Sequence, residues 1–213
     1  MRACAVLAGK DMHELLGKAA DAKRFGADFV ELPLNALEDY SNLELIESFP
    51  LPVILSLSYT KKKETINALK KGLKFRTEFV DIDLAFQKNF IEDTFSYARA
   101  NGIKTIVSYF PSVFPVQKNL KKVIEDMAIL SKYIKIVLPA KNKKDLESFG
   151  WIFNVSAKTG AKLALISSFE PAPKDKRNFI CYGKIESSSH NRHLPQIEDV
   201  KKAIMENAPS EFQ

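Results

Sequence analysis

Cysteine, histidine, tryptophan and glycine are all scarce in this sequence of 213 residues. It contains two cysteines, three histidines, one tryptophan and eight glycines. Cys4 and Cys181 both lie in apolar, strand-like segments. A disulfide framework is therefore excluded, and a reducing compartment, the cytoplasm, is expected.

Long apolar runs are absent as well. No run approaches the roughly 20 residues that span a bilayer, so we predict no membrane association. The first segment, MRACAVLAGKD, is too short for the apolar core and cleavage site of a signal peptide, and it is predicted to form a strand. No GxGxxG follows that strand and GxxxxGKS/T is missing throughout, which excludes the usual phosphate-binding loops.

Acidic residues are outnumbered by basic ones, 26 to 32, which gives a net charge of +6. The lysine-rich clusters cover residues 61–63, 70–74, 141–144 and 174–177. Such clusters can bind nucleic acid, but these are dispersed and no helix-turn-helix, zinc-finger or RNP pattern accompanies them. We interpret them as a solvated helical surface and predict no nucleic-acid partner. A barrel that binds an anionic metabolite is a third interpretation.

Apolar residues make up 46% of the chain. Eight short segments consist mostly of uninterrupted apolar residues. Strands that are buried in a parallel sheet have this pattern. The predicted strands cover residues 2–8, 29–35, 53–59, 79–84, 104–110, 133–139, 162–168 and 179–184.

Segments with helical spacing alternate with these strands. Residues 12–20 and 120–130 place apolar side chains at i, i+3 and i+4, which is typical of one buried helical face. Gly102 and Gly160 are predicted to end helices, and a last helix is predicted over residues 195–207.

Strand–helix alternation predicts a parallel sheet. Eight such units favour a (β/α)8 barrel, an α/β fold of TIM-barrel type, formed as a single domain by residues 1–213. A doubly wound open sheet is the alternative, because it produces the same pattern along the chain. Residues 170–178 carry two prolines, so we expect a shortened segment between strands seven and eight, with a loop or a single turn.

The functional site of such a barrel lies at the C-terminal ends of its strands. Alternate residues of a strand share a face, so polar residues at these spacings can point inward together. The candidates are Glu31 and Asn35 in the second strand, Ser58 in the third, and Asp81 and Asp83 in the fourth.

Lys135 lies between two isoleucines in the sixth strand. Desolvation there is expected to lower the pKa of its ammonium group and so favour attack on a carbonyl, as in Schiff-base enzymes. The alternative is a lysine near the start of the strand that reaches water or a carboxylate. Asp81 and Asp83 need partners to stay charged in an apolar strand. They would pair with Lys135 at a site or form a structural ion-pair network.

Six segments, in order along nearly the whole chain, resemble those of the type I 3-dehydroquinate dehydratase family. Each motif is short, and the resemblance rests on their order. They are ADFVELPLN at residues 27–35, residues 52–58, VDIDL at 80–84, IVSYF at 106–110, YIKIV at 133–137, and PQI at 195–197.

This resemblance implies a lyase of the shikimate pathway, on the route to the aromatic amino acids. The reaction is dehydration of 3-dehydroquinate to 3-dehydroshikimate, and the small-molecule substrate is an anionic carbonyl compound. No metal or cofactor is implied. Lys135 would form an imine with the ketone, Glu31, Asp81 and Asp83 would be site carboxylates, and Gln196 would contact the substrate. A homodimer is compatible with the resemblance.

The chain also departs from the family pattern. Phe110 stands at the position of the family's histidine, which serves as general acid and base. Asn35 and Ser58 stand at positions of an aspartate and an arginine. The arginine that binds the substrate carboxylate has no clear match, and Arg177 and Arg192 are the candidates. We assign Asn35, Ser58, Phe110 and Arg192 to substrate binding.

Two histidines, His190 and His193, follow the eighth strand, in the loop at the catalytic end of a barrel. We assign both to the catalytic set, because one could replace the missing acid–base group. Ordinary surface histidines are the alternative. No third ligand lies nearby in sequence, so no metal site is predicted.

Three functions remain open from the sequence. The first is a dehydroquinate dehydratase with weak or altered activity. The second is a barrel that has lost its chemistry and binds a ligand or a partner. The third is another lysine-dependent lyase or aldolase-type barrel.

Overall fold

Each of the eight apolar segments forms a β-strand, and the strands join in one parallel sheet. The computed structural model describes residues 1–140, 142, 145, 147, 149–167, 177–185 and 194–206. The strands are β1 (Arg2–Val6), β2 (Phe29–Pro33), β3 (Val53–Leu57), β4 (Thr77–Asp83), β5 (Lys104–Tyr109), β6 (Tyr133–Leu138), β7 (Lys162–Ser167) and β8 (Ile180–Lys184).

Helices follow most of the strands and cover the outside of the sheet. Asp11 caps the first of them by accepting a hydrogen bond from the Glu14 amide at 2.9 Å. The predicted glycine ends are confirmed, because Gly102 and Gly160 have φ angles of 74° and 75°. The helices are α1 (Met12–Arg24), α2 (Lys63–Gly72), α3 (Lys88–Ala100), α4 (Gln117–Leu130), α5 (Phe149–Thr159) and α6 (Ile197–Glu206), with 3-10 turns at Leu34–Ala36 and Leu43–Ser48. Within the described ranges, none of the helices is long and apolar enough to cross a membrane.

Most of the predicted strands run one or two residues too far at their C-terminal ends. At β2 and β3 the cause is visible. The Asn35 side chain donates to the Ser58 carbonyl at 3.1 Å and accepts from the Ser58 amide at 2.9 Å. A side-chain amide thus takes the place of a backbone pair, and the chain after Pro33 is free to turn into a 3-10 helix.

The sheet closes into a barrel. The strand order is β7-β6-β5-β4-β3-β2-β1-β8, so β7 and β8 are the two ends that must meet. The Phe179 amide donates to the Leu163 carbonyl at 3.1 Å. The Leu165 amide donates to the buried Asn178 side chain at 2.7 Å. These two bonds bridge the seam, and the (β/α)8 barrel is confirmed over the open sheet.

The barrel interior is apolar toward the N-terminal ends of the strands. Aromatic rings fill this end, with centroid distances of 5.8 Å for Phe29–Phe79, 5.3 Å for Phe79–Tyr133 and 5.2 Å for Tyr133–Phe179. Cys4 and Cys181 are both buried free thiols, as predicted. Because the rings occupy this end, any cavity inside the barrel must open at the C-terminal ends of the strands.

The shortened segment predicted between the seventh and eighth strands lies mostly outside the described residues, since residues 168–176 are not among them. The last helix is confirmed as α6. It packs directly on β8, where Gly183 faces its first turn.

We predict that Gly183→Ala destabilises the barrel by about 2 kcal/mol, the usual range for overpacking a tight contact. A Cβ atom at Gly183 would lie 2.9 Å from the Ile197 Cα atom, which is backbone and cannot turn away. Urea unfolding measures the change. Gly17→Ala is the control, because a Cβ atom there meets nothing within 4 Å inside α1. That control should be neutral or slightly stabilising, and equal stability of the two variants would contradict the packing argument.

Candidate active site

A buried cluster of one lysine and two carboxylates lies inside the barrel. The Lys135 Nζ atom is 3.0 Å from both carboxylate oxygens of Glu31 and 2.5 Å from the Asp81 Oδ2 atom. The three side chains come from β6, β2 and β4 and point inward by strand alternation. Their exposed fractions are 3%, 6% and 1%. Of the two predicted partners of Lys135, Asp81 contacts it and Asp83 does not, and Glu31 is the second carboxylate of the cluster.

The cluster holds two acidic groups and one basic group, and burial changes the pKa of Asp81. Burial, together with the neighbouring Glu31 carboxylate, raises the pKa of Asp81 to about 6, against the attraction of Lys135. Near neutral pH, Asp81 is therefore close to accepting a proton. A carboxyl group with this pKa is suited to exchange a proton with a neighbour.

The predicted lowering of the Lys135 pKa is wrong for this protein without a ligand. Burial does lower the pKa of the ammonium group, but the charges of Asp81 and Glu31 outweigh burial and raise it above its usual value. The sequence argument considered the isoleucines beside Lys135 and not the carboxylates across the barrel. Lys135 therefore rests as an ammonium ion and must transfer a proton before its amine can attack a carbonyl.

A cavity of about 200 Å³ lies above the cluster and opens at the C-terminal ends of the strands. Its apolar wall comes from Val6, Val137, Ile166 and Leu194. Polar atoms reach it from the opposite strands. Besides the three charged groups, the polar side chains that line it are Asn35, Ser56, Ser58, Ser108 and Tyr182. This combination suits a small polyhydroxylated molecule with one apolar face.

Phe110 lies at the rim of the cavity and is 42% exposed. Its ring centroid is 5.8 Å from the Lys135 Nζ atom, so the aromatic face stabilises the ammonium ion. A phenyl ring has no titratable atom. Position 110 therefore carries no side chain that can move a proton.

Tyr182 is the site residue that sequence reasoning missed. Its ring centroid is 4.9 Å from the Lys135 Nζ atom, and the residue is 5% exposed. The hydroxyl is buried and makes no well-formed hydrogen bond within the described ranges of the chain, although the Glu31 carboxylate lies close enough to act on it. Burial raises the pKa of the phenol well above its usual value, with the Glu31 charge in the same direction. The available signal was alternation, since Ile180 and Tyr182 share the inner face of β8.

Two predicted site residues lie near the mouth but do not line the cavity. The Asp83 carboxylate accepts from the Tyr59 amide at 3.0 Å and from the Ala85 amide at 2.9 Å, so it holds two loops together. Gln196 is exposed and pairs with the backbone of Lys184, immediately before α6. The structure therefore brings neither side chain to Lys135.

Arg177 and the three residues near 190 are the remaining candidates. Arg177 precedes β8 and packs on α5, where its guanidinium lies 4.6 Å from the Phe153 ring centroid and donates to Asn154 at 3.0 Å. It is therefore remote from the C-terminal cavity. His190, Arg192 and His193 lie outside the described residues. Among the residues that are described, no group of three or more histidine, cysteine or acidic side chains could hold a metal ion.

We predict that Lys135→Met destabilises the folded protein by about 3–5 kcal/mol at neutral pH, because it leaves two buried carboxylates without their cation. The pKa of Asp81, already raised to about 6, rises further without the lysine. A carboxyl with a raised folded-state pKa loses stability as pH increases, so the deficit should shrink on acidification. Urea unfolding at several pH values measures this.

Lys88→Met is the matched control for that experiment. Lys88 Nζ lies 3.6 Å from the Glu92 carboxylate on the exposed face of α3. Breaking an exposed pair changes the free energy of unfolding by less than about 1 kcal/mol. A pH-independent deficit in Lys135→Met would show that the lysine acts by packing alone.

Comparison with known proteins shows which family this chain resembles. The model of the family described as type I 3-dehydroquinase matches residues 3–149. The 3-dehydroquinate dehydratase of Methanococcus maripaludis is 25% identical over 211 residues, covering 93% of this chain and 95% of that protein.

Solved structures show the same fold. The 3-dehydroquinate dehydratase of Aquifex aeolicus VF5 superposes with a TM-score of 0.78 at 18% identity, covering 97% of this chain and 99% of that one. The type I enzyme of Clostridium difficile with covalently modified comenic acid gives a TM-score of 0.80 at 14% identity, covering 98% and 93%.

Proposed function

The chain belongs to the type I 3-dehydroquinase family of carbon–oxygen lyases, and from this premise we propose that it dehydrates 3-dehydroquinate to 3-dehydroshikimate through an imine on Lys135. One observation carries the proposal. A buried lysine lies on the floor of a cavity, in contact with two buried carboxylates, inside a barrel of this family.

Imine formation begins with transfer of a proton from Lys135. Asp81 Oδ2 is 2.5 Å from the Nζ atom, and its pKa of about 6 makes it the acceptor. The neutral amine attacks the ketone carbon, and the carbonyl oxygen leaves as water after taking up protons. The imine is again a cation, so the two carboxylates stabilise it as they stabilised the ammonium ion.

The iminium group then acts as an electron sink. Removal of a proton from the carbon next to it gives an enamine, and return of the electron pair expels the hydroxyl at the next carbon. Attack by water on the resulting iminium releases the unsaturated ketone and restores Lys135. The reaction needs an acid and a base, and Phe110 cannot supply either.

The remaining polar groups are proposed to bind the substrate. Asn35 and Ser58 line the cavity beside each other and offer hydrogen bonds to substrate hydroxyls. Glu31 and Asp81 exclude a substrate carboxylate from the floor by repulsion, which leaves the mouth for it. Arg192 is the proposed partner of that carboxylate.

His190 and His193, which follow β8 along the sequence, keep their proposed acid–base role. Phe110 is proposed to contact the substrate at the rim of the cavity. Asp83 and Gln196 are proposed to act at the mouth, where they hold the loops through which the substrate enters.

We predict that borohydride reduction in the presence of 3-dehydroquinate adds one substrate-derived mass to the protein, on Lys135. Peptide mass spectrometry locates the adduct, and turnover is followed through the absorbance of the conjugated product. Lys135→Met should give no adduct. Lys162→Met, at the opposite end of the barrel beside Tyr133, should be modified like the wild type. An adduct on Lys135→Met, or turnover by this variant, would remove the lysine from the reaction.

A ligand-binding barrel without turnover is the second candidate, favoured by Phe110 at the place of the family's histidine. It would bind 3-dehydroquinate or a related anion without a trapped adduct. A lysine-dependent lyase with another carbonyl substrate would be trapped by other ketones or aldehydes and not by 3-dehydroquinate. The same experiment therefore separates all three.

We predict that Phe110→His raises the turnover of 3-dehydroquinate by about 10²-fold, the lower range of general acid–base help. The ring at this position already lies 5.8 Å from the Lys135 Nζ atom, within the cavity lining. Phe110→Asn is the control, because asparagine is polar but transfers no proton. The rate constants at saturating substrate are compared. An equal gain in both variants would assign the effect to polarity or space.

A further inference from the structure

Tyr182 is a buried phenol in the cavity that the steps above do not use. It lines the same cavity as Lys135, Glu31 and Asp81. Its hydroxyl is buried and makes no well-formed hydrogen bond among the described residues, although the Glu31 carboxylate lies close enough to act on it. A buried hydroxyl in this situation is unfavourable, and a substrate oxygen in the cavity would supply a better partner. The phenol is therefore placed to meet an oxygen atom of the bound molecule.

We propose that Tyr182 is the general acid of the dehydration, donating its phenolic proton to the departing hydroxyl in place of the histidine that Phe110 replaces. This inference rests on the proposed imine mechanism, and in the loss of water it puts Tyr182 and Glu31 in place of the acid–base role proposed above for His190 and His193. It assigns a catalytic function to a residue of β8, on the opposite side of Lys135 from the proton acceptor Asp81 in β4.

The position of the ring supports this assignment. Its centroid lies 4.9 Å from the Lys135 Nζ atom, so the phenol ring is next to any imine that forms on that nitrogen. In the sheet, Tyr182 pairs with Cys4 of β1, and Glu31 lies one inward step further along, paired with Val6. Phenol and carboxylate thus approach the lysine from β8 and β2, the two strands that flank β1.

The protons and electrons balance without a further reactant. The Glu31 carboxylate takes the proton from the carbon next to the iminium, and the C–H electron pair forms the enamine. The enamine then re-forms the iminium and breaks the C–O bond, whose electron pair stays on oxygen. Tyr182 donates a proton to that oxygen, water departs, and protonated Glu31 returns its proton to the phenolate.

Burial keeps the phenol in its protonated form, so its proton leaves only as negative charge develops on the departing oxygen. Burial raises its pKa, and the charges of Glu31, Cys4 and Asp81 act in the same direction. Tyr182 therefore stays protonated at neutral pH and is available as a donor in every turnover. The phenolate that forms is unstable in this surrounding, so it recovers its proton quickly from Glu31.

The test compares Tyr182→Phe with Tyr133→Phe. Tyr133 is the matched control, because it belongs to the aromatic cluster at the N-terminal end and lies outside the cavity lining. We expect Tyr182→Phe to keep borohydride trapping at Lys135 but to slow product formation by about 10²-fold, the loss typical of one general acid. Tyr133→Phe should keep the wild-type rate.

A second substrate separates acid catalysis from a structural role. In an analogue with fluorine in place of the departing hydroxyl, the leaving group needs no proton. Tyr182→Phe should therefore process this analogue within a few-fold of the wild type. An equal defect on both substrates, or none on 3-dehydroquinate, would overturn the assignment. Wild-type protein that neither turns over nor traps 3-dehydroquinate would instead overturn the proposed function, and the assignment with it.

Discussion

The structure depends on the contact between Lys135 and two carboxylates in the barrel interior. None of these three charges could stay ionised alone in that environment, since moving a charge out of water costs several kcal/mol. Glu31 and Asp81 reach the lysine at 3.0 Å and 2.5 Å from two other strands. Because the contact requires β2, β4 and β6 to curve around a common axis, it is compatible with a closed barrel and not with a flat sheet.

The same contact divides the interior into two halves. Toward the N-terminal ends of the strands, aromatic rings and aliphatic side chains fill the barrel. Toward the C-terminal ends, one further inward position along six of the eight strands, the residues become Glu31, Ser56, Asp81, Ser108, Lys135 and Tyr182. The lower half supplies hydrophobic stabilisation, and the upper half keeps an open cavity with polar walls. A change of residue type at one level of the barrel is therefore what creates the site.

Stability and chemistry make opposite demands on Lys135. The carboxylates that permit its burial also raise its pKa and hold it as an ammonium ion. The proposed imine mechanism requires a neutral amine, so the proton needs a nearby acceptor. Asp81, with its pKa raised to about 6, meets this need within the same contact. Under the proposed mechanism Phe110 cannot make the later proton transfers, and they pass to other groups, among them the buried phenol of Tyr182, whose ring centroid lies 4.9 Å from the Lys135 Nζ atom.

Local patterns in the sequence determined the order of strands and helices, because apolar runs, helical spacing and terminal glycines depend on near neighbours only. Alternation along single strands also placed Glu31, Asp81 and Lys135 on inner faces. Tertiary structure alone decided the rest. The sign of the Lys135 pKa shift depends on Glu31, 104 residues away. The Asp83 carboxylate binds two loop amides instead of Lys135. Arg177 precedes β8 and therefore lies at the end of the barrel away from the cavity. Tyr182 reaches the cavity only because β8 closes the barrel. Charge, hydrogen bonding and exposure depend on distances between strands, and those distances exist only once the barrel has closed.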